Sequence, residues 1–218
     1  SPEGDAGADP GVPTALVILK EGPIPLPYGD SRFATIYADP PWPERGGGHI
    51  KRGADRHYPL MKVSDIVALG AEVQRIMENH SHCYLWVTNN HLPDGFNVLT
   101  AWGYRYVTCI TWAKPSIGIG QYYRGQTEHC LFGIRGNVPY AMAHTGVKER
   151  PSWWAKKRSQ GRTLILGAKL AHSRKPLQMR RWIEAVSPGP YLELFARQHV
   201  DGWTGWGNEI SPIISTPD

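Results

Sequence analysis

From about Ala15 onward, short apolar runs alternate with stretches whose apolar residues recur at helical spacing. A chain with this rhythm builds strands followed by covering helices, which predicts an α/β fold: a mostly parallel sheet with helices on both faces. The predicted strands are residues 15–19, 33–38, 83–88, 106–112, 129–134, 163–166 and 191–196. The predicted helices are 65–79, 94–102 and 176–186. In the first helix Ser64 stands where an N-cap would, Ile66, Val67, Val73, Ile76 and Met77 recur at roughly helical spacing, and Gly70 is a point of weakness. The last opens on Pro176 and stops before Ser187-Pro188-Gly189-Pro190, the punctuation expected at each end. No internal repeat is present.

With 218 residues, 41% hydrophobic and 20% charged, the chain is long and apolar enough for one domain with a real core, read here as residues 15–218. Residues 1–14, rich in Asp, Gly and Pro, read as a flexible segment or a cloning remnant. Nine Trp and ten Tyr exceed what one core needs and suit base stacking or interfaces. The charge balance, 24 − 19 = +5, permits a polyanionic partner.

Cys83, Cys109 and Cys130 are odd in number and widely spaced, which argues against both a disulfide framework and a zinc site. His80-Ser81-His82-Cys83 and His129-Cys130 place potential ligands close in sequence, but successive strand residues face opposite ways, so no metal is expected. These features point to a reducing, cytoplasmic setting. No apolar run reaches the length of a membrane span and the start lacks a signal-peptide layout, so the reading is a soluble protein without a membrane partner.

Residues 43–59, 114–127 and 143–162 resist assignment; all are polar and basic, and they follow probable strand ends, where open α/β sheets bind ligands. Residues 143–162 hold Lys148, Arg150, Lys156, Lys157, Arg158 and Arg162 against Glu149, beside Trp153 and Trp154. That mixture suits phosphate contacts with stacking. The candidate nucleic-acid contacts are therefore Arg45, Lys51, Arg52, Lys114, Arg124, Lys148, Trp153, Trp154, Lys156, Lys157 and Arg158. His129 is a further candidate for the edge of the substrate cleft.

Directly after the run Phe33 to Ala38 stands Asp39-Pro40-Pro41-Trp42. It sets a carboxylate at a strand end, a backbone stiffened by two prolines, and an aromatic face at fixed offset. Such a unit can grip a planar base with an exocyclic amine: Asp39 and the Pro40 carbonyl accept the amine hydrogens and Trp42 stacks on the ring.

This stretch resembles the DPPW motif of the S-adenosylmethionine-dependent adenine-N6 methyltransferases, in the branch that includes the catalytic subunit of the eukaryotic mRNA adenosine methyltransferase and many bacterial and phage enzymes. The resemblance continues at Cys83 through Asn89, Ala101-Trp102-Gly103-Tyr104, Trp112-Ala113-Lys114-Pro115 and Glu128 through Gly136. It is most specific at Ser173-Arg174-Lys175-Pro176, Pro188-Gly189, Leu192 through Arg197, and Gly202-Trp203 through Glu209. It implies a circularly permuted Rossmann-like methyltransferase with the catalytic motif early and the main cofactor strand late. It also implies catalytic roles for Asp39, Pro40, Pro41 and Trp42, and an S-adenosylmethionine site made by Asp39, Lys175, Glu193, Phe195, Arg197, His199, Asn208 and Glu209. The competing structural reading makes Lys175 and Glu193 an ion pair and Asn208 a turn cap. Two departures stand out: residues 20–30 offer no alignable cofactor-contacting acid, and Glu209 replaces the family's glutamine.

The implied reaction is direct methyl transfer from S-adenosylmethionine to the N6 amine of adenine in nucleic acid, without a metal. DNA is favoured over RNA, because no appended RNA-binding module is visible. The alternatives are an RNA adenosine methyltransferase and a catalytically silent nucleic-acid-binding subunit; a homodimer or a heteromeric partner both remain open.

Overall fold

The computed structural model describes residues 26–43, 60–118, 122–137, 161–167, 174–207 and 210. Its elements are β1 (Phe33–Ala38), α1 (Val63–Ala68), α2 (Gly70–Ile76), β2 (Met77–Thr88), a 3-10 turn (Asn89–His91), α3 (Leu92–Ala101), β3 (Arg105–Ala113), β4 (Thr127–Arg135), β5 (Leu164–Leu166), α4 (Leu177–Val186), β6 (Tyr191–Leu194) and β7 (Trp203–Trp206). The strands form one seven-stranded sheet in the order β5-β3-β4-β2-β1-β6-β7. The pairings β1 with β2, β1 with β6, β6 with β7 and β3 with β5 are parallel, whereas β4 runs antiparallel to both β2 and β3. This mostly parallel mixed sheet with helices on both faces is a Rossmann-like methyltransferase fold.

All six residues of β1 are buried, as expected for a central strand covered on both sides. Their alternation divides the core in two. Ile36 and Ala38 pack with Ile66, Leu69, Val73, Val98, Leu99 and Trp102 from α1, α2 and the α3 end. Tyr37 points the other way and joins Tyr84, Trp86, Trp112, Met179, Ile183 and Trp203. The second core is largely aromatic, and its polar edges are satisfied: Trp86 Nε1 donates to Tyr37 Oη at 2.8 Å and Trp203 Nε1 to Glu184 Oε1 at 2.8 Å.

The predicted strands at 33–38, 83–88, 106–112, 129–134, 163–166 and 191–196 all have counterparts, while 15–19 lies outside the described residues. The predicted helix at 65–79 is corrected at both ends, and it breaks beside Gly70, where the sequence predicts weakness. It begins at Val63 with Lys62 as N-cap, so Ser64 lies inside it; the break falls at Leu69; and it ends at Ile76, where β2 begins. At the break, Gly70 packs against the end of α3, where an added Cβ would stand 2.5 Å from the Ala101 carbonyl oxygen. The last predicted strand stops at Leu194 because Phe195 takes a left-handed φ of +63°. Strand β7, Trp203–Trp206, was not predicted. No helix among the described residues is long and apolar enough to cross a membrane.

Candidate active site

Strand alternation gathers the site on one face at one edge of the sheet. Tyr37 faces α4, and Asp39 lies two residues on, just beyond the carboxyl end of β1. Glu193, in register with Tyr37, reaches the same face from β6. β4 runs in the opposite sense, so its beginning, not its end, arrives at this edge: Glu128 is in register with both Thr88 and Trp112.

Asp39 meets Lys175, whose ammonium donates to Oδ2 at 2.6 Å. The same Nζ lies 3.3 Å from Glu128 Oε2 and 5.5 Å from the Trp86 ring centroid. Glu128 Oε1 in turn accepts from Lys114, whose ammonium sits 4.4 Å over the Trp112 ring. A continuous chain of alternating charge, Asp39, Lys175, Glu128, Lys114, therefore runs along two indole faces. Burial alone would push the Lys175 ammonium down, but Asp39 and Glu128 outweigh it and hold it above its ordinary range. Burial likewise pushes Glu128 up, and Lys175 and Lys114 together bring it below the ordinary carboxylate value. Asp39 Oδ2 is thus clamped by the Lys175 ammonium, and among the described residues Oδ1 takes no hydrogen bond.

The two prolines turn the chain after Asp39. Trp42 N–H donates to the Pro40 carbonyl at 2.9 Å, and Met61 N–H donates to the Pro41 carbonyl at 2.9 Å. The Trp42 side chain is 8% exposed, with Nε1 donating to the Trp86 carbonyl at 2.9 Å. One indole face is covered by His91, with ring centroids 5.2 Å apart and planes 19° off parallel. His91 is itself tied at both nitrogens, Nε2 donating to the Pro43 carbonyl at 2.6 Å and Nδ1 lying 2.7 Å from Asp94 Oδ2. Trp42 is thus a fixed, buried ring beside Asp39 more than an open platform.

Of the residues assigned to the cofactor, Asp39, Lys175, Glu193 and Phe195 are brought to the same sheet edge, since Ala38 pairs with Leu194. Phe195 packs edge-on against Trp206 with centroids 5.5 Å apart, and its left-handed backbone is the strain typical of a functional strand end. Lys175 and Glu193 do not pair with each other: Lys175 bridges Asp39 and Glu128, while Glu193 is gripped by Arg180, with Nη2 2.7 Å from Oε1 and Nε 3.1 Å from Oε2. Burial still carries Glu193 above the ordinary carboxylate value, outweighing Arg180. Arg197 is partly buried and His199 exposed in the connection between β6 and β7. Asn208 and Glu209 lie outside the described residues.

Of the nucleic-acid candidates, Lys114 is drawn into the ion chain, and Arg124 is exposed on the loop between β3 and β4. Arg45, Lys51, Arg52, Lys148, Trp153, Trp154, Lys156, Lys157 and Arg158 lie outside the described residues. His129 faces away from Glu128, with Nε2 donating to Asn89 Oδ1 at 2.7 Å and Nδ1 accepting from Thr111 Oγ1 at 3.1 Å. No three His, Cys, Asp or Glu side chains among the described residues gather as a metal would need.

Sequence reasoning gave no role to Glu128, Arg180, His91 or Trp86. The signal for Glu128 was an acid at the start of a strand next to a basic loop. The others become visible only once the sheet order is known.

The donor set suits S-adenosylmethionine: carboxylates for an ammonium, cations for a carboxylate, and the Phe195 ring beside a sharply turned strand end. Residues 33–209 match the MT-A70 family. Among similar proteins, the type II methyltransferase M.MunI of Mycoplasma sp is 25% identical over 82% of this chain and 78% of its own length. The N(6)-adenosine-methyltransferase MT-A70-like protein of Drosophila melanogaster is 28% identical over 84% of this chain and 28% of its own. The N(6)-adenosine-methyltransferase catalytic subunit METTL3 of Homo sapiens is 27% identical over 86% of this chain and 30% of its own. The chain thus spans under a third of the length of these two animal relatives. From the family match, the parallel sheet and the clamped aspartate at its edge, the chain belongs to the MT-A70 family, whose methyltransferases use S-adenosylmethionine as methyl donor.

Proposed function

We propose that this chain transfers a methyl group from S-adenosylmethionine to the exocyclic N6 amine of adenine in nucleic acid, with DNA the favoured polymer. The observation that carries the reading is the carboxylate of Asp39, clamped at Oδ2 by Lys175 and set at the end of a buried strand. DNA is favoured because, of the relatives named above, the type II methyltransferase is the one spanned over most of its length. RNA is the second reading, supported by the two adenosine methyltransferases.

S-adenosylmethionine supplies an electrophilic methyl carbon on a sulfonium. The difficulty lies with the nucleophile, because the adenine amine shares its lone pair with the ring. Asp39 Oδ1 accepts one amine hydrogen, and the Pro40 carbonyl, which already takes the Trp42 N–H, has a second lone pair for the other. Holding both hydrogens draws the nitrogen toward a pyramidal geometry, which takes its lone pair out of conjugation with the ring and localises it toward the methyl carbon, so the acceptors act where charge changes most. Methylation would leave the nitrogen with a proton to shed, and Asp39 Oδ1 would take it. Lys175 fixes the carboxylate's rotation, and Glu128 and Lys114 fix Lys175. A stacked base cannot reach such a pocket, so the nucleotide enters unpaired or flipped out.

The test is competition for labelled S-adenosylmethionine between matched DNA and RNA oligonucleotides. Label in DNA ahead of RNA supports the reading as stated. Label in RNA alone moves the polymer, and label in neither overturns the activity.

A further inference from the structure

The loop joining β3 to β4 carries two large side chains that the fold does not use. Tyr122 and Tyr123 are 101% and 89% exposed, with Ile117 and Arg124 also exposed beside them. The described residues around them are hydrogen-bonded to one another. Lys114 N–H donates to the Gln126 carbonyl at 2.8 Å, Gly118 N–H to the Gly125 carbonyl at 2.7 Å, and Arg124 Nε to the Gly118 carbonyl at 2.7 Å. Tyr122 has a φ of +52°, in the left-handed region that a bulky residue seldom adopts.

Position and charge say what such a surface meets. β3 and β4 deliver this loop to the edge of the sheet where Asp39 lies, and its first residue, Lys114, ends the ion chain that begins at Asp39. From Lys114 to Thr127 there are two cations, Lys114 and Arg124, and no acid. Phenol rings beside a guanidinium, with the nearest carboxylate in sequence, Glu128, already paired to Lys114 and Lys175, suit a polyanion that also presents flat faces.

We propose that Tyr122, Tyr123 and Arg124 form a binding site for the nucleotides flanking the target adenine on an unpaired strand. The two rings stack on neighbouring bases and the guanidinium meets a phosphate. Every base offers a π-face, so this platform holds the strand without reading it, and a paired duplex, whose base faces are stacked away, cannot use it. The inference rests on the nucleic-acid reading above and narrows it to single strands.

The experiment is anisotropy titration of fluorescein-labelled DNA and RNA strands of about 12 nucleotides, single and duplex, each with one adenine. Wild-type protein is expected to prefer single strands. Tyr122→Ala and Tyr123→Ala each weaken that binding about tenfold without changing its salt slope, and Tyr122→Phe leaves it intact. Arg124→Ala weakens binding and lowers the salt slope by about one. Thermal melting of the variants should match wild type, since the altered rings are exposed. Unchanged strand binding by a Tyr122→Ala, Tyr123→Ala double variant, in a protein that does bind strands, overturns the platform. So does a double variant that loses only self-association by sedimentation, which would make the rings a subunit contact. A wild type that binds no strand at all overturns the proposed function, and the platform with it.

Discussion

The Lys175 ammonium, 136 residues away along the chain, lies 2.6 Å from Asp39 Oδ2. The pair holds one carboxylate oxygen of Asp39, and a second bridge from the same Nζ to Glu128 at 3.3 Å fixes Lys175 in turn. Removing the acceptor is therefore expected to cost more than removing its clamp. Asp39→Asn should lower kcat about 10³-fold and Lys175→Met about 10²-fold. In a double-mutant cycle on kcat/KM the two should couple by about 1–3 kcal/mol, and strict additivity would separate them.

Glu128 has two ammonium partners and is largely buried, so its loss leaves Lys114 without this carboxylate and Lys175 with Asp39 alone. Glu128→Gln is expected to cost about 1–3 kcal/mol of stability by urea unfolding. A variant as stable as wild type would show that the ion chain adds nothing to the fold.

Much of this site was legible in the residues, and what was not has a physical reason. Asp39 could be placed because an apolar run ends at it and two prolines follow; no long-range information is needed for that. Glu128, by contrast, reaches the same edge only because β4 runs antiparallel to its neighbours, a property of the sheet order that no local pattern carries. The helix expected at 65–79 ran too far because Met77 and the residues after it extend β2, where pairing with β1 overrides local spacing. β7 was missed because Thr204 and Gly205 between two tryptophans give too short and mixed a run, although parallel pairing to β6 holds it. Trp42 was read as an open stacking face; its burial depends on His91, forty-nine residues on and invisible as a partner until the fold is drawn.

His91 holds the turn after Asp39, at the Pro43 carbonyl and one face of Trp42. His91→Ala should lower kcat while leaving KM nearly unchanged, and cost about 2 kcal/mol of stability. His91→Asn, which keeps a donor for Pro43, should restore part of kcat. A fall in stability with kcat intact would make His91 structural only.

His82 is buried against Phe132, with Nδ1 2.7 Å from Ser187 Oγ, and burial pushes its pKa from 6.5 down to about 4. The folded protein keeps His82 neutral, whereas the unfolded chain binds a proton below pH 6.5. Stability from this residue is therefore full above pH 6.5 and falls as pH drops toward 4, by up to about 3 kcal/mol. Urea titrations across that window should show a shallower slope in His82→Gln; identical slopes would mean that the ring is protonated in the folded state.

The central claim is that Asp39 directs methyl transfer to the adenine N6 amine. The most direct measurement incubates wild-type protein and Asp39→Asn with labelled S-adenosylmethionine and pooled single- and double-stranded DNA and RNA, digests the polymers to nucleosides and separates the products. The account predicts label in N6-methyladenine, DNA-derived, from wild type and almost none from the variant. Label in any other nucleoside, equal label from Asp39→Asn, or no label from a wild type that binds S-adenosylmethionine would contradict it.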